Sequence, residues 1–267
     1  MVTQKIVVAV VLLLASLNSQ GQGFIMPPQG KIEYEVIESK VLNTTRNYSI
    51  YLPKSYKTEE SRQYPILYLL HGMNDTHKGW PTRGHVEDVA NQLIDGGEVR
   101  EMIIVTPDAG TDWNGYFDME GWSYERFFFE EFLPHIEGKY RVSRGKEERA
   151  IAGLSMGGGG STVYAQKHPE LFSSVYAMSA LMNIPFVGGP PGLDKKLDLL
   201  TQSVIANSSI AFVEKADAAT LEKLKAVNWF VDCGDDDFLL DVNIDYVRAM
   251  KKVGIPLQFR IRDGGHT

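Results

Sequence analysis

Gly153-Leu154-Ser155-Met156-Gly157 is the segment whose residue types and spacing speak most directly of chemistry. It fits G-x-S-x-G, in which a serine is carried on a sharp turn from a strand into a helix. An apolar run at 150–154 precedes it and a helical pattern follows it, as that turn requires. Side chains at Gly153 and Gly157 would collide with the turn, so glycine serves there. The N-terminus of the following helix points at the serine and favours developing negative charge. Gly158, Gly159 and Gly160 extend the run and suit close packing of helix on strand. A phosphate-cradling loop is excluded, because no Gly-Lys-Ser/Thr ending is present. The chemistry this spacing supports is attack by the Ser155 hydroxyl on a carbonyl carbon.

A serine hydroxyl is a poor nucleophile until a base takes its proton. His266, in Gly264-Gly265-His266, directly follows a strand candidate at 257–261 and is the expected base. The acid that orients it is expected after the preceding strand, in Cys233-Gly234-Asp235-Asp236-Asp237. Asp237 is the first choice, because Gly-x-x-Asp after a strand aims the side chain into the site, and Asp236 is its rival. A solvated acidic turn would look similar. The order nucleophile, acid, histidine is that of α/β-hydrolases. Upstream, Leu69-Leu70-His71-Gly72-Met73 ends another strand candidate. It stands where an oxyanion-hole amide is supplied, so the expected donors are the backbone N–H groups of Met73 and Met156. One such donor is worth ~2.7–4 kcal/mol in the transition state. His71, His77 and His85 lack the spacing of metal ligands, so neither a metal nor a cofactor is expected.

The elements that must position these residues alternate. Strands are expected at 31–36, 48–52, 66–70, 102–106, 150–154, 174–178, 229–233 and 257–261. Most are short continuous apolar runs, which suit strands buried on both faces of a parallel sheet. Helical patterns lie at 86–94, 125–136, 158–168 and 242–253. Strand–helix alternation of this kind argues for a doubly wound α/β sheet. The stretch 181–227 breaks it, with a Gly/Pro segment at 187–192 followed by amphipathic pieces. It reads either as an insertion that walls or covers the site or as a crossover with an extra helix.

A chain of 267 residues with 43% apolar residues can bury a sizeable core without disulfides or a structural metal. The net charge of −7 and the lack of a basic stretch exclude a nucleic-acid partner. Lys5, the apolar run at 6–17 and the small polar residues at 18–23 have the layout of a secretory signal peptide. The run is shorter than the ~20 residues that span a bilayer, so no stable membrane span is expected. The expected organisation is a leader over 1–23 and one catalytic domain over 24–267. The single cysteine, Cys233, allows no internal disulfide and reads as a buried, inert thiol.

Together, Tyr51-Leu52-Pro53, Tyr64-Pro65-Ile66-Leu67-Tyr68-Leu69-Leu70-His71-Gly72, Gly153-Leu154-Ser155-Met156-Gly157-Gly158 and Gly264-Gly265-His266 resemble the esterase family of α/β-hydrolases. That family holds the feruloyl and acetylxylan esterases of carbohydrate esterase family 1, S-formylglutathione hydrolases, antigen 85 mycolyltransferases and enterochelin esterases. The resemblance runs from about Lys31 to the end and is weak over 181–227. It implies a mostly parallel central sheet with helices on both faces. It also implies Ser155 as nucleophile, Asp237 as acid, His266 as base, and Met73 with Met156 as oxyanion amides. Trp80 falls where relatives carry a tryptophan near the pocket, and a purely structural aromatic is the other reading of it. Relatives continue past the histidine into a tryptophan-containing stretch and a final helix. This sequence stops at Thr267, so either it is cut short or the domain closes without that C-terminal helix. The expected activity is a secreted or periplasmic carboxylic ester hydrolase, with feruloyl or acetyl esters of plant polysaccharide as substrate class. The expected partner is accordingly a small ester or an esterified oligosaccharide. A siderophore esterase, an acyltransferase or an inactive carbohydrate-binding relative would use the same scaffold. The intact Ser155, Asp237 and His266 set speaks against the last.

Overall fold

The computed structural model describes residues 29–184 and 194–266. The expected leader at 1–23 and the whole Gly/Pro segment at 187–192 lie outside the described residues. Two long strands open the chain, β1 (Lys31–Ser39) and β2 (Thr44–Leu52), paired as an antiparallel hairpin in register from Lys31 with Leu52 to Ser39 with Thr44. Six short strands follow: β3 (Ile66–Leu70), β4 (Ile103–Pro107), β5 (Arg149–Leu154), β6 (Ser174–Met178), β7 (Asn228–Gly234) and β8 (Leu257–Arg262). The eight form one sheet in the order β1-β2-β4-β3-β5-β6-β7-β8. β2 pairs antiparallel with β4, and the pairs from β4 to β8 are all parallel. The sheet is therefore mostly parallel, and its central strands are the continuous apolar runs seen in the sequence.

Chain direction within the sheet decides which face each helix covers. From β3 the chain steps one way to β4 through α1 (Val86–Asp95). It then steps the other way through α2 (residues 124–139), α3 (Met156–Lys167) and α7 (Leu240–Lys252). Right-handed crossovers place helices of opposite step on opposite faces. Two separate apolar clusters bear this out. The larger holds Phe128 and Phe132 of α2, Val163 and Tyr164 of α3, and Tyr246 and Met250 of α7. The smaller joins Ala90 of α1 to Leu69, Ile104 and Ala152. The reversal of step falls beside β3, which lies between β4 and β5. The carboxyl ends of β3 and β5 thus flank the crevice where ligands of such sheets bind.

α2 runs through Tyr124–Phe127, a π-turn at Phe128–Phe132 and Leu133–Lys139. Pro134 lacks the N–H that a regular α-turn would use, and the wider turn just before it accommodates that loss. Between β6 and β7 the chain forms α4 (Lys195–Ala206), α5 (Ser209–Lys215) and α6 (Ala218–Lys225). Each is capped by a side chain at its start: Asp194 accepts from the Lys196 amide, Ser208 from Ala211 and Asp217 from Thr220. The 181–227 stretch is thus a chain of three short, separately nucleated helices. Among the described residues no helix is long and apolar enough to cross a membrane.

Candidate active site

β5 ends at Leu154 and α3 begins at Met156, so the whole reversal falls on Ser155, at φ 56° and ψ −116°. A non-glycine residue there costs of order 1–3 kcal/mol and persists only when its surroundings enforce it. They do so through three backbone bonds. The Ser155 amide donates to the Met178 carbonyl at 2.9 Å, and the Ser155 carbonyl accepts from Gly159 at 3.1 Å and Leu181 at 2.9 Å. The helix starts two residues earlier than the expected 158–168, and the glycine run lies inside it. Interior glycines cost roughly 1 kcal/mol each against alanine. Close approach is the reason they are here: a Cβ on Gly157 would stand 2.5 Å from the Leu70 carbonyl oxygen and 2.6 Å from that of His71. A Cβ on Gly153 would run into the Gly157 backbone. Only glycine lets α3 press on the end of β3 and aim its free Met156 N–H at the serine side.

The other two expected catalytic side chains converge on Ser155. His266 Nε2 lies 2.9 Å from Ser155 Oγ, and His266 Nδ1 lies 3.0 Å from each carboxylate oxygen of Asp237. The Asp237 side chain is fully buried, while the His266 side chain keeps 28% of its surface open to the site. Burial alone would raise the Asp237 carboxyl. The Ser179 hydroxyl, the Leu239 amide and His266 outweigh it and hold the group below the ordinary carboxylate range. Asp237 is therefore an anion, and His266 Nδ1–H donates to it, which leaves Nε2 free to accept from the serine. The rival Asp236 is exposed and serves through its backbone, donating its amide to the Gly264 carbonyl at 3.0 Å. Asp235 accepts from the Gly264 amide at 2.9 Å, and its own amide donates to Arg262 at 2.8 Å. The acidic triplet thus divides its work: two residues clasp the histidine loop and the third meets the ring. Cys233 is buried, with burial and the Asp237 charge pushing its thiol up to about 12, so it stays protonated.

Met73 lines the same crevice, and Gly72 comes so near the elbow that a Cβ on it would lie 3.7 Å from Ser155 Cβ. Among the described residues the amides of Met73 and Met156 find no acceptor. The loop bearing Met73 is held from below by His71. His71 Nδ1 donates to the Gly72 carbonyl at 2.8 Å, and Nε2 accepts from the Ala109 amide at 3.0 Å. Burial holds His71 below the ordinary histidine value, which keeps the ring neutral and makes this pairing possible. A trans peptide points its N–H opposite its C=O, so pinning the Gly72 carbonyl turns the Met73 N–H the other way. The far end of the loop is tied down by His77 Nδ1 to Asp108 at 3.0 Å, with Arg46 on the other Asp108 oxygen at 2.8 Å.

These residues open on a cavity of about 1110 Å³, walled by Met73, Trp80, Trp113, Leu181, Leu197 and Phe238 among others. Trp80 meets both readings of it. Its indole N–H donates to the Leu70 carbonyl at 3.1 Å and its ring packs on the smaller apolar cluster, yet it also faces the cavity. Leu197 and Thr201 of α4 supply part of the wall from the 181–227 stretch. Among the described residues no group of His, Cys, Asp or Glu is arranged to hold a metal ion. Sequence reasoning missed Ser179, the Asp108–Arg46–His77 tether and Trp113, which carry no local motif. In the sequence His71 reads only as a candidate metal ligand without the spacing for it. Its place beside Gly72 at the end of β3 was the signal of its supporting role.

An elbow serine, an acid and a histidine from the ends of β5, β7 and β8 of a mostly parallel sheet define an α/β-hydrolase. Residues 39–241 match the family model described as "Putative esterase", and the chain belongs to that family. A ferulic acid esterase of solved structure is 54% identical and superposes with a TM-score of 0.87, covering 91% of this chain and 93% of that one. The Endo-1,4-beta-xylanase/feruloyl esterase of Xylanibacter ruminicola is 28% identical over 64% of this chain, which spans only 27% of that relative's length. An acetyl esterase of Caldicellulosiruptor saccharolyticus is 25% identical, with 80% of this chain and 81% of that one covered.

Proposed function

We propose that the protein is an exported serine carboxylesterase that cleaves feruloyl esters of plant cell-wall polysaccharide through an acyl-enzyme. The observation that carries the chemistry is the unbroken line of contacts from Asp237 through His266 to Ser155 Oγ, at 3.0 and 2.9 Å. In this reading His266 takes the Ser155 proton as Oγ attacks the ester carbonyl. The carbonyl oxygen becomes an oxyanion facing the Met73 and Met156 amides. His266 then gives its proton to the departing alkoxide, and the acyl group stays on Ser155. Water, deprotonated by His266, attacks the acyl-enzyme and releases the acid, and the proton returns to Oγ. Asp237 stabilises the imidazolium at both stages without taking its proton.

The feruloyl assignment is supported by the 54% identity to a ferulic acid esterase and by a largely apolar cavity able to house an aromatic acyl group, with Trp80 as a contact. Export is supported by the leader-like residues 1–23. The test is hydrolysis of methyl ferulate, acetylated xylan, a salicylate siderophore and p-nitrophenyl acetate, with fluorophosphonate labelling. Methyl ferulate turnover and labelling should both vanish in Ser155→Ala. A wild-type protein that neither labels nor cleaves any of the four overturns the reading, and one that cleaves only the siderophore overturns its substrate.

A further inference from the structure

Phe238 is out of place for a large apolar residue: 59% of it is exposed. Tyr34, Val36, Val89, Ile205 and Ile261 are also exposed, but of these six only Phe238 lines the active-site cavity. Its ring centre lies 4.4 Å from that of His266, tilted by 43°. Both nitrogen edges of the imidazole are already committed, one to Asp237 and one to Ser155. Phe238 therefore packs against the base where both rings line the cavity. Its position is stiff, because the preceding carboxylate is bonded to the following Leu239 amide at 2.8 Å.

We infer that Phe238 is the platform on which the sugar ring of the leaving alcohol stacks; the inference rests on the esterase reading above, which already makes that alcohol part of a polysaccharide. The proton geometry sets the side. His266 Nε2 must hand its proton to the alcohol oxygen as the acyl C–O bond breaks, so that oxygen departs from beside Nε2. The acyl group remains on Ser155, with its oxygen toward Met73 and Met156. Whatever the alcohol carries beyond its oxygen therefore lies on the His266 side, where Phe238 is the exposed apolar surface. Polar groups at the same rim narrow the chemistry. Asp263 lines the cavity and is exposed, and Asp232, paired with Arg262, lines it as well. An aromatic face beside carboxylate acceptors complements a ring that has C–H groups on one side and hydroxyl donors around its edge. The negative face of the phenyl ring attracts those polarised C–H groups. A plain alkyl alcohol would use the ring and leave the acceptors unmatched.

The test compares two esters of one acid, methyl ferulate and a feruloylated arabinosyl oligosaccharide, in wild type, Phe238→Leu and Phe238→Tyr. The measured quantity is the ratio of kcat/KM on the sugar ester to kcat/KM on the methyl ester. The ratio should fall about tenfold in Phe238→Leu, mainly through KM on the sugar ester, and stay within twofold of wild type in Phe238→Tyr. A thermal melt checks that both variants fold. If the Leu variant loses activity equally on both esters, Phe238 merely steadies His266 and the inference is overturned. An unchanged ratio with unchanged activity overturns it too. A wild-type protein that cleaves no ester brings down the functional reading and this one with it, and that outcome is visible before any variant is made.

Discussion

Replacing His71 with alanine tests how the proposed oxyanion donors are held. The ring sits between the Gly72 carbonyl and the Ala109 amide, at 2.8 and 3.0 Å, and both contacts go in the variant. The Ala109 N–H is left buried and unpaired, a cost of ~1–3 kcal/mol. The Gly72 carbonyl keeps a weaker donor, the Asp75 amide at 3.3 Å, so its loss is smaller. With the space left by the imidazole, the total is about 2–4 kcal/mol, or a fall in Tm of roughly 5–15 °C for a domain of this size. The effect on rate comes from aim. Without the ring the Gly72–Met73 peptide can rotate, and one oxyanion donor is worth ~2.7–4 kcal/mol, about 10²- to 10³-fold in kcat. That contact strengthens as charge develops, so kcat should fall with KM nearly unchanged. Steady-state hydrolysis of p-nitrophenyl acetate, well below the melting point of the variant, gives both constants. His71→Gln, which can still donate to the Gly72 carbonyl, should recover part of kcat. A folded His71→Ala protein with kcat within about threefold of wild type would refute the supporting role.

Asp237→Asn removes the anion that fixes the imidazole tautomer, and kcat should drop by about 10⁴, as it does in comparable triads. Asp236→Asn, whose backbone contact to Gly264 survives, should change kcat by less than threefold; the reverse pattern would make Asp236 the acid. Stability should also respond to acid in two stages. His71 binds its proton less readily in the folded protein than at its unfolded value of 6.5, so the unfolded chain takes up the proton first. Its contribution is full above that value and is lost as pH falls below it. Asp237 is likewise depressed from 3.8, so its contribution is lost only below that value. Urea midpoints at several pH values should decline from near pH 6.5 downward, and His71→Gln should flatten the first decline.

The sequence by itself determined the sheet and the elbow, because both depend on neighbours along the chain. The five-residue apolar runs became β3, β6 and their neighbours with ends shifted by a residue or so. Gly153 and Gly157 bracket Ser155 because a Cβ at either position strikes backbone only a few residues from the turn or at the end of the adjoining strand. The place of His266 after β8 was legible from chain order alone. Tertiary structure decided what depends on side chains meeting across strands. The local pattern favours Asp237 but leaves Asp236 as a rival, and only the pairing of the β7 and β8 loops buries one carboxylate against His266 and leaves the other in solvent. The same holds for His71, an unassigned histidine in the sequence. Its role exists because the amide of Ala109, two residues past the end of β4, is brought 3.0 Å from its ring when β3 and β4 pair. Phe238 carried no signal either. A phenylalanine after three aspartates has no periodicity to read, and its proposed meaning comes from an exposed apolar ring packed 4.4 Å from the His266 ring.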